Sequence, residues 1–332
     1  MSLGKTKSWP RLSVITIVLL LCLVGGWFAW SQAGKPDPAL QHSPSFEAPE
    51  NLVSTLRIPF TLSDANNISI RAMLNDQEPV QLMFHTAVDS ISLTKDAVEK
   101  LKTLKVGKSI DVESWGGRAA AGVSTGNRLQ IAELDWKDQT IFVDEYSGPE
   151  TDGKFGPHLF ANKVIEINFD TRELVIHQKL PEFVSAATST YRRLDFSLDH
   201  GSMYVAGELT VGDQKFSNQF MLHTGFGGTA LLDDEFVQTH QLGDRLKTIS
   251  ERELKDAFGN DLKTKKVQLG TLDFGGIQFE NVPVEIFDGA LGKQKISVLG
   301  GSLIKRFNLV IDSQNHHLYL QPNKLFGLPY GD

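Results

Sequence analysis

The chain has 332 residues, 41% hydrophobic and 22% charged, with a formal net charge of −7. That length exceeds one ordinary domain and predicts two similar lobes, while the acidic balance, with no basic patch, argues against a nucleic-acid binder. The one cysteine, Cys22, falls in the apolar N-terminal stretch, so the globular part can hold no disulfide, thiolate metal site or cysteine nucleophile.

Residues 1–11 form a basic flank carrying Lys5, Lys7 and Arg11, and residues 12–30 contain no charge. As a helix, 12–30 spans about 28 Å, close to the ~30 Å of a bilayer core. Trp27 and Trp30 stand at its far end, where indoles favour the membrane interface. The basic flank predicts a single-pass signal-anchor, N-terminus inside and the globular part extracytoplasmic, periplasmic or extracellular. A cleaved signal peptide is the competing reading, with Ser31-Gln32-Ala33 as a weak site. Signal h-regions run only ~7–15 residues, which favours the anchor. Residues 31–51, with four prolines, read as a flexible linker.

Beyond residue 52 the chain reads as short strands and turns, with 29 Gly and 20 Phe overall. Leu56–Phe60 and Ile68–Leu74 alternate with period two, and Asn66-Asn67 and Asn75-Asp76 punctuate them. A helix is predicted over Lys95–Leu104, capped by Thr94, and a counterpart over Asp233–Thr239. An internal repeat runs through the whole region. Leu82-Met83-Phe84-His85-Thr86-Ala87 matches Phe220-Met221-Leu222-His223-Thr224-Gly225, an offset of 138 residues. Phe155-Gly156 matches Leu299-Gly300, and Asp170 after an apolar run matches Asp312. Each half ends in a strand–turn–strand pattern read as a hairpin. Two copies are too few for a solenoid and suit two lobes about a pseudo-twofold axis. The predicted division is an N-terminal lobe 52–180, a lobe linker 181–191, a C-terminal lobe 192–323 and a tail 324–332.

These residues resemble the retropepsin-like and pepsin-like aspartic proteases. His85-Thr86-Ala87 and His223-Thr224-Gly225 stand where that family places Asp-Thr-Gly. Val298-Leu299-Gly300, and less closely Lys154-Phe155-Gly156, resemble its apolar-apolar-Gly signature. The resemblance covers both halves, from about residue 52 to 323. It implies an all-β bilobal fold with short helices. It implies that Thr86, Thr224 and Gly225 maintain the cross-loop structure. It places Trp115-Gly116-Gly117 and Phe258-Gly259 in flap hairpins and Asp89 beside a bound peptide. Both catalytic aspartates are absent, with His85 and His223 in their places.

An aspartic dyad works because two close carboxylates share a proton, one acting as base and the other as acid. Two imidazoles begin mostly uncharged near neutral pH and lack the anionic character that holds a water. The leading expectation is therefore a membrane-anchored pseudoprotease that binds an extended peptide or protein ligand without cutting it. One alternative is a site for a transition metal, zinc or copper, on His85 and His223, with Asp89 or His158 as a further ligand. Another is hydrolysis by an altered His/His dyad. The plainest reading leaves both histidines inert, satisfied by backbone hydrogen bonds, with Asp89 capping its loop and His158 starting a helix.

Overall fold

A computed structural model describes residues 55–107, 109–114, 117–199, 201–255, 261–287 and 294–330. The predicted anchor and linker lie outside these, and among the described residues no helix is long and apolar enough to cross a membrane.

In chain order the strands are β1 (Thr55–Pro59), β2 (Thr61–Leu62), β3 (Ile68–Leu74), β4 (Glu78–Phe84), β5 (Ile91–Thr94), β6 (Ser109–Ser114), β7 (Gly117–Ile131), β8 (Leu134–Asp144), β9 (Gly153–Phe155), β10 (Val164–Asn168) and β11 (Glu173–His177). The second half continues with β12 (Arg192–Asp199), β13 (Ser202–Val211), β14 (Gln214–His223), β15 (Ala230–Leu231), β16 (Lys247–Lys255), β17 (Asp261–Phe274), β18 (Ile277–Phe287), β19 (Ser297–Gly300), β20 (Phe307–Asp312) and β21 (His317–Pro322).

The two halves share one topology. In the first, β3 and β4 form a hairpin, β9 lies parallel to β4, β5 follows β9, and β8 lies parallel to β5. In the second, β13 and β14 form the hairpin, β19 lies parallel to β14, β15 follows it, and β18 lies parallel to β15. Long hairpins β6–β7 and β16–β17 complete each copy. The result is two barrel-like lobes, mostly β, as the resemblance implies.

Alternation explains why each lobe closes around its own core. In β3 and β4, Ile70, Ala72, Leu74, Val80, Leu82 and Phe84 are buried, since successive strand residues face opposite sides. Phe84, Phe155 and Phe160 meet in the first core, with ring centroids 5.5–6.4 Å apart.

The hairpins ending each half do more than close their own lobe. β10–β11 and β20–β21 join through β10–β20, with Ile165 opposite Ile311, and β1 and β12 flank them. This shared sheet ties the lobes together by backbone hydrogen bonds.

The predicted helix over Lys95–Leu104 is shorter than expected and ends at Lys100. Its cap is as anticipated, with Thr94 accepting from Ala97 N–H. The physical reason for the early end is Glu78, whose carboxylate accepts the backbone N–H of Lys102 and Thr103 and so draws the chain away. The second helix, Asp234–Thr239, starts one residue later than expected because Asp233 is its N-cap. The linker contains a short helix, Glu182–Ser185, that buries Val184.

The C-terminal tail wraps around a buried cation. Arg306 is 1% exposed. Its guanidinium donates to the carbonyls of Leu325, Phe326, Leu328 and Pro329 and lies 4.5 Å from the Tyr330 ring centre. Removing residues 324–332 should strand this charge and cost about 3–5 kcal/mol of folding stability, the range for breaking a buried charge's partners. Chemical denaturation of the truncated and intact chains measures it.

Candidate functional site

The loops after β4 and β14 meet between the lobes. Thr86 Oγ1 donates to Leu222 O at 2.6 Å, and Thr224 Oγ1 donates to Phe84 O at 2.6 Å. In return, Thr224 N–H donates to Thr86 Oγ1 at 3.1 Å and Thr86 N–H to Thr224 Oγ1 at 3.0 Å. Both threonines are essentially fully buried. Each hydroxyl thus serves one donor and one acceptor of the opposite loop, a symmetric brace in a place where water cannot substitute.

Glycine is required where a second strand threads beside each loop. A Cβ at Gly156 would lie 1.7 Å from Val88 O, and one at Gly300 would lie 2.4 Å from Gly228 O. His85 N–H donates to Phe155 O, and Gly300 N–H donates to Thr229 O, fixing the loops to these strands.

The brace holds His85 and His223 side by side, ring centroids 4.4 Å apart and planes inclined at 53°. His85 Nδ1 accepts Ala87 N–H at 3.2 Å, and His223 Nδ1 accepts Phe226 N–H at 3.0 Å. An accepting Nδ1 places the proton of a neutral imidazole on Nε2. Gly225 makes room for this arrangement, because a Cβ there would stand 2.3 Å from the His85 ring.

Both imidazoles resist protonation. Burial pushes His85 well below its ordinary value, with His223 and Lys154 adding repulsion. Burial lowers His223 to about 4, again with a contribution from Lys154. The pair is therefore uncharged at neutral pH. Lys154 itself forms an ion pair with Asp144 at 2.7 Å, and Ser92 Oγ donates to the same carboxylate at 2.6 Å.

Asp89 is exposed, lies near Gly201, and acts electrostatically on His158. His158 sits in the first turn of the 3₁₀ helix Pro157–Phe160, with Nδ1 buried and lacking a partner. Burial lowers its pKa to about 4. Trp115, Gly116, Phe258 and Gly259 lie outside the described residues. In sequence they fall between paired strand ends, Ser114 opposite Gly117 and Lys255 opposite Asp261. Gly117 itself begins β7.

The site does not fit a metal on its described residues. Among them no group of three histidine, cysteine or carboxylate side chains could hold an ion, and tight sites use three or four ligands.

A second brace escaped the sequence reading. Asn67 Nδ2 donates to Thr224 O at 3.1 Å and to Gly225 O at 3.3 Å, and Asn66 Nδ2 donates to Gly227 O at 2.8 Å. Lys305 Nζ in turn donates to Asn66 Oδ1. The Asn-Asn pair reads locally as turn punctuation, and nothing in its spacing reveals partners in the other lobe.

Topology and site together define a bilobal, aspartic-proteinase-like fold with an imidazole pair at its centre. No protein-family model and no curated protein matches the chain. Among solved structures it is similar to the aspartic proteinase from Irpex lacteus. That likeness has a TM-score of 0.55 at 13% identity and covers 84% of this chain and 100% of that one. At that identity the likeness establishes the fold.

Two outcomes follow from this geometry. Thr224→Val should cost about 2–4 kcal/mol, since it leaves Phe84 O and Thr86 N–H buried without partners; thermal or urea unfolding checks it. The second concerns acid. Both histidines are lowered in the folded state, so the unfolded chain takes up protons first. The contribution of His223 is full above about pH 6.5 and is lost as pH falls toward 4, by about 1.4 kcal/mol per pH unit; His85 acts in the same direction. His85→Asn/His223→Asn should flatten the unfolding free energy measured over that window.

Proposed function

We propose that this protein is a membrane-anchored, extracytoplasmic pseudoprotease whose interlobe cleft binds an extended peptide without cutting it. The observation that carries the reading is the neutral imidazole pair in the braced loops. On the resemblance to aspartic proteases, His85 and His223 occupy the positions of the catalytic carboxylates. Catalysis by such a dyad needs one shared proton and one net negative charge to hold and activate water. Two uncharged imidazoles, each with Nδ1 engaged by its own loop, supply no such charge. Peptide capture needs only backbone pairing and side-chain subsites, and the long hairpins β6–β7 and β16–β17 provide strands for it. The apolar segment 12–30 behind a basic flank supports the anchor.

The test uses the full chain in detergent, incubated with a mixed peptide library at pH 3–8, with mass spectrometry for cleavage and affinity capture for binding. Capture without cleavage, with affinity within about threefold in His85→Ala/His223→Ala, is expected. The chain should also stay in alkali-washed membranes. Cleavage abolished by either His85→Ala or His223→Ala would sink the reading and assign hydrolysis to the pair.

A further inference from the structure

The two lobes are copies in backbone, so their ladders can be compared position by position. His85 corresponds to His223, Met83 to Met221, and Lys154, opposite Met83, to Val298, opposite Met221. Ser92 beside Lys154 corresponds to Leu231 beside Val298, and Ser69 opposite Met83 corresponds to Tyr204 opposite Met221. Continuing along β8 and β18, Asp144 corresponds to Phe287. Alternation puts Met83 and Met221 on the same sheet face as the imidazole that follows each by two residues. The residues paired with them share that face.

The same face therefore carries different side chains in the two copies, although the C-terminal lobe also buries a carboxylate there, Glu285 opposite Leu231. In the C-terminal lobe Met221, Leu231 and Val298 are buried with Phe226 in an apolar cluster, and Tyr204, Phe287 and Ile296 pack against it, partly buried. The N-terminal lobe presents Ser69, Ser92, Lys154 and Asp144 at the matching places. Burying an ion pair costs desolvation that Val298 and Phe287, at the places matching Lys154 and Asp144, do not incur.

Lys154 is incompletely satisfied. Its side chain is 11% exposed. Of its three N–H donors, the described residues give the ammonium one acceptor, Asp144. It stands opposite Met83, two residues before His85, and its charge disfavours protonation of both His85 and His223. An ammonium fixed on a cleft-facing sheet, with donors left over, fits a carboxylate.

We infer that Lys154 is the specificity-determining residue of the cleft, and that it selects an extended peptide in which an acidic side chain adjoins an apolar one. An extended segment crossing the imidazoles sends successive side chains to opposite sides. One meets the Lys154 ammonium and the next meets Tyr204 and Phe287, the partly buried edge of the second lobe's apolar cluster. Asp144 holds Lys154 in place and partly neutralises it, which tempers the attraction. This inference rests on the peptide-binding reading above.

The experiment measures fluorescence polarisation of labelled octapeptides on the full-length protein in detergent. The probes carry a central Glu-Leu, Gln-Leu, Leu-Leu or Lys-Leu step. The wild type should bind the Glu-Leu peptide at least tenfold tighter than the Lys-Leu peptide, with an advantage that shrinks as salt rises. Lys154→Met should remove that preference while keeping Leu-Leu binding. Lys154→Val/Asp144→Phe, which writes the C-terminal lobe's residues into the N-terminal lobe, should do the same without a buried unpaired carboxylate. Asp144→Asn, which frees the ammonium of its counter-charge, should tighten Glu-Leu binding several-fold, an effect that a purely structural ion pair would not give. Peptide binding with no Glu-Leu preference, or a preference unchanged in both Lys154 variants, would overturn the assignment to Lys154 while leaving peptide capture standing. No binding of any probe or of the mixed library would overturn peptide capture, and this inference with it.

Discussion

The reciprocal brace between Thr86 and Thr224 is the constraint on which the centre of this molecule depends. Each hydroxyl donates to a carbonyl of the opposite lobe and accepts the N–H of the opposite threonine. All of these groups are buried, so neither loop is satisfied unless the other lobe is present. Lobe association and loop geometry are thus a single requirement. The shared sheet through β10 and β20 supplies the broad connection, and the brace fixes the loops that carry the site. The 4.4 Å separation of the imidazoles is a consequence.

On that symmetric frame the side chains have diverged. Asn66 and Asn67 reach from the first lobe to the loop after His223. The ion pair of Lys154 and Asp144 stands where the second lobe has Val298 and Phe287. Backbone pairing tolerates such divergence because a parallel ladder uses only main-chain groups, while the face it presents is set by side chains. Two copies of one topology thereby present unlike side chains on matching sheet faces.

The electrostatics of the centre run opposite to those of a carboxylate dyad. Two close carboxylates retain a proton and a negative charge. Here burial, mutual repulsion and the nearby ammonium all favour the uncharged imidazoles. Such a pair is compatible with a dry, preorganised floor, and the backbone N–H groups that engage each Nδ1 keep the rings fixed. On the proposed reading, the architecture for holding a peptide is kept and the charge that would attack it is absent.

The local features were legible in the sequence. Period-two alternation located β1 and β3, Thr94 and the Asp233 region marked helix starts, and repeated apolar-apolar-His-Thr segments announced the duplication. These depend on neighbours within a few residues, where covalent geometry and burial patterns act directly. The end of the first helix was not legible, because it is drawn off by Glu78, far earlier in the chain. Nor were the joining of the terminal hairpins into one sheet, the contacts of Asn66 and Asn67 across 157–161 residues, or the action of the Lys154 charge on both histidines. The sequence by itself determined the strands, the repeat and the residues available at the centre. Tertiary structure decided which of them meet, because long-range register is set by the packing of two lobes together and leaves no periodic trace in the chain.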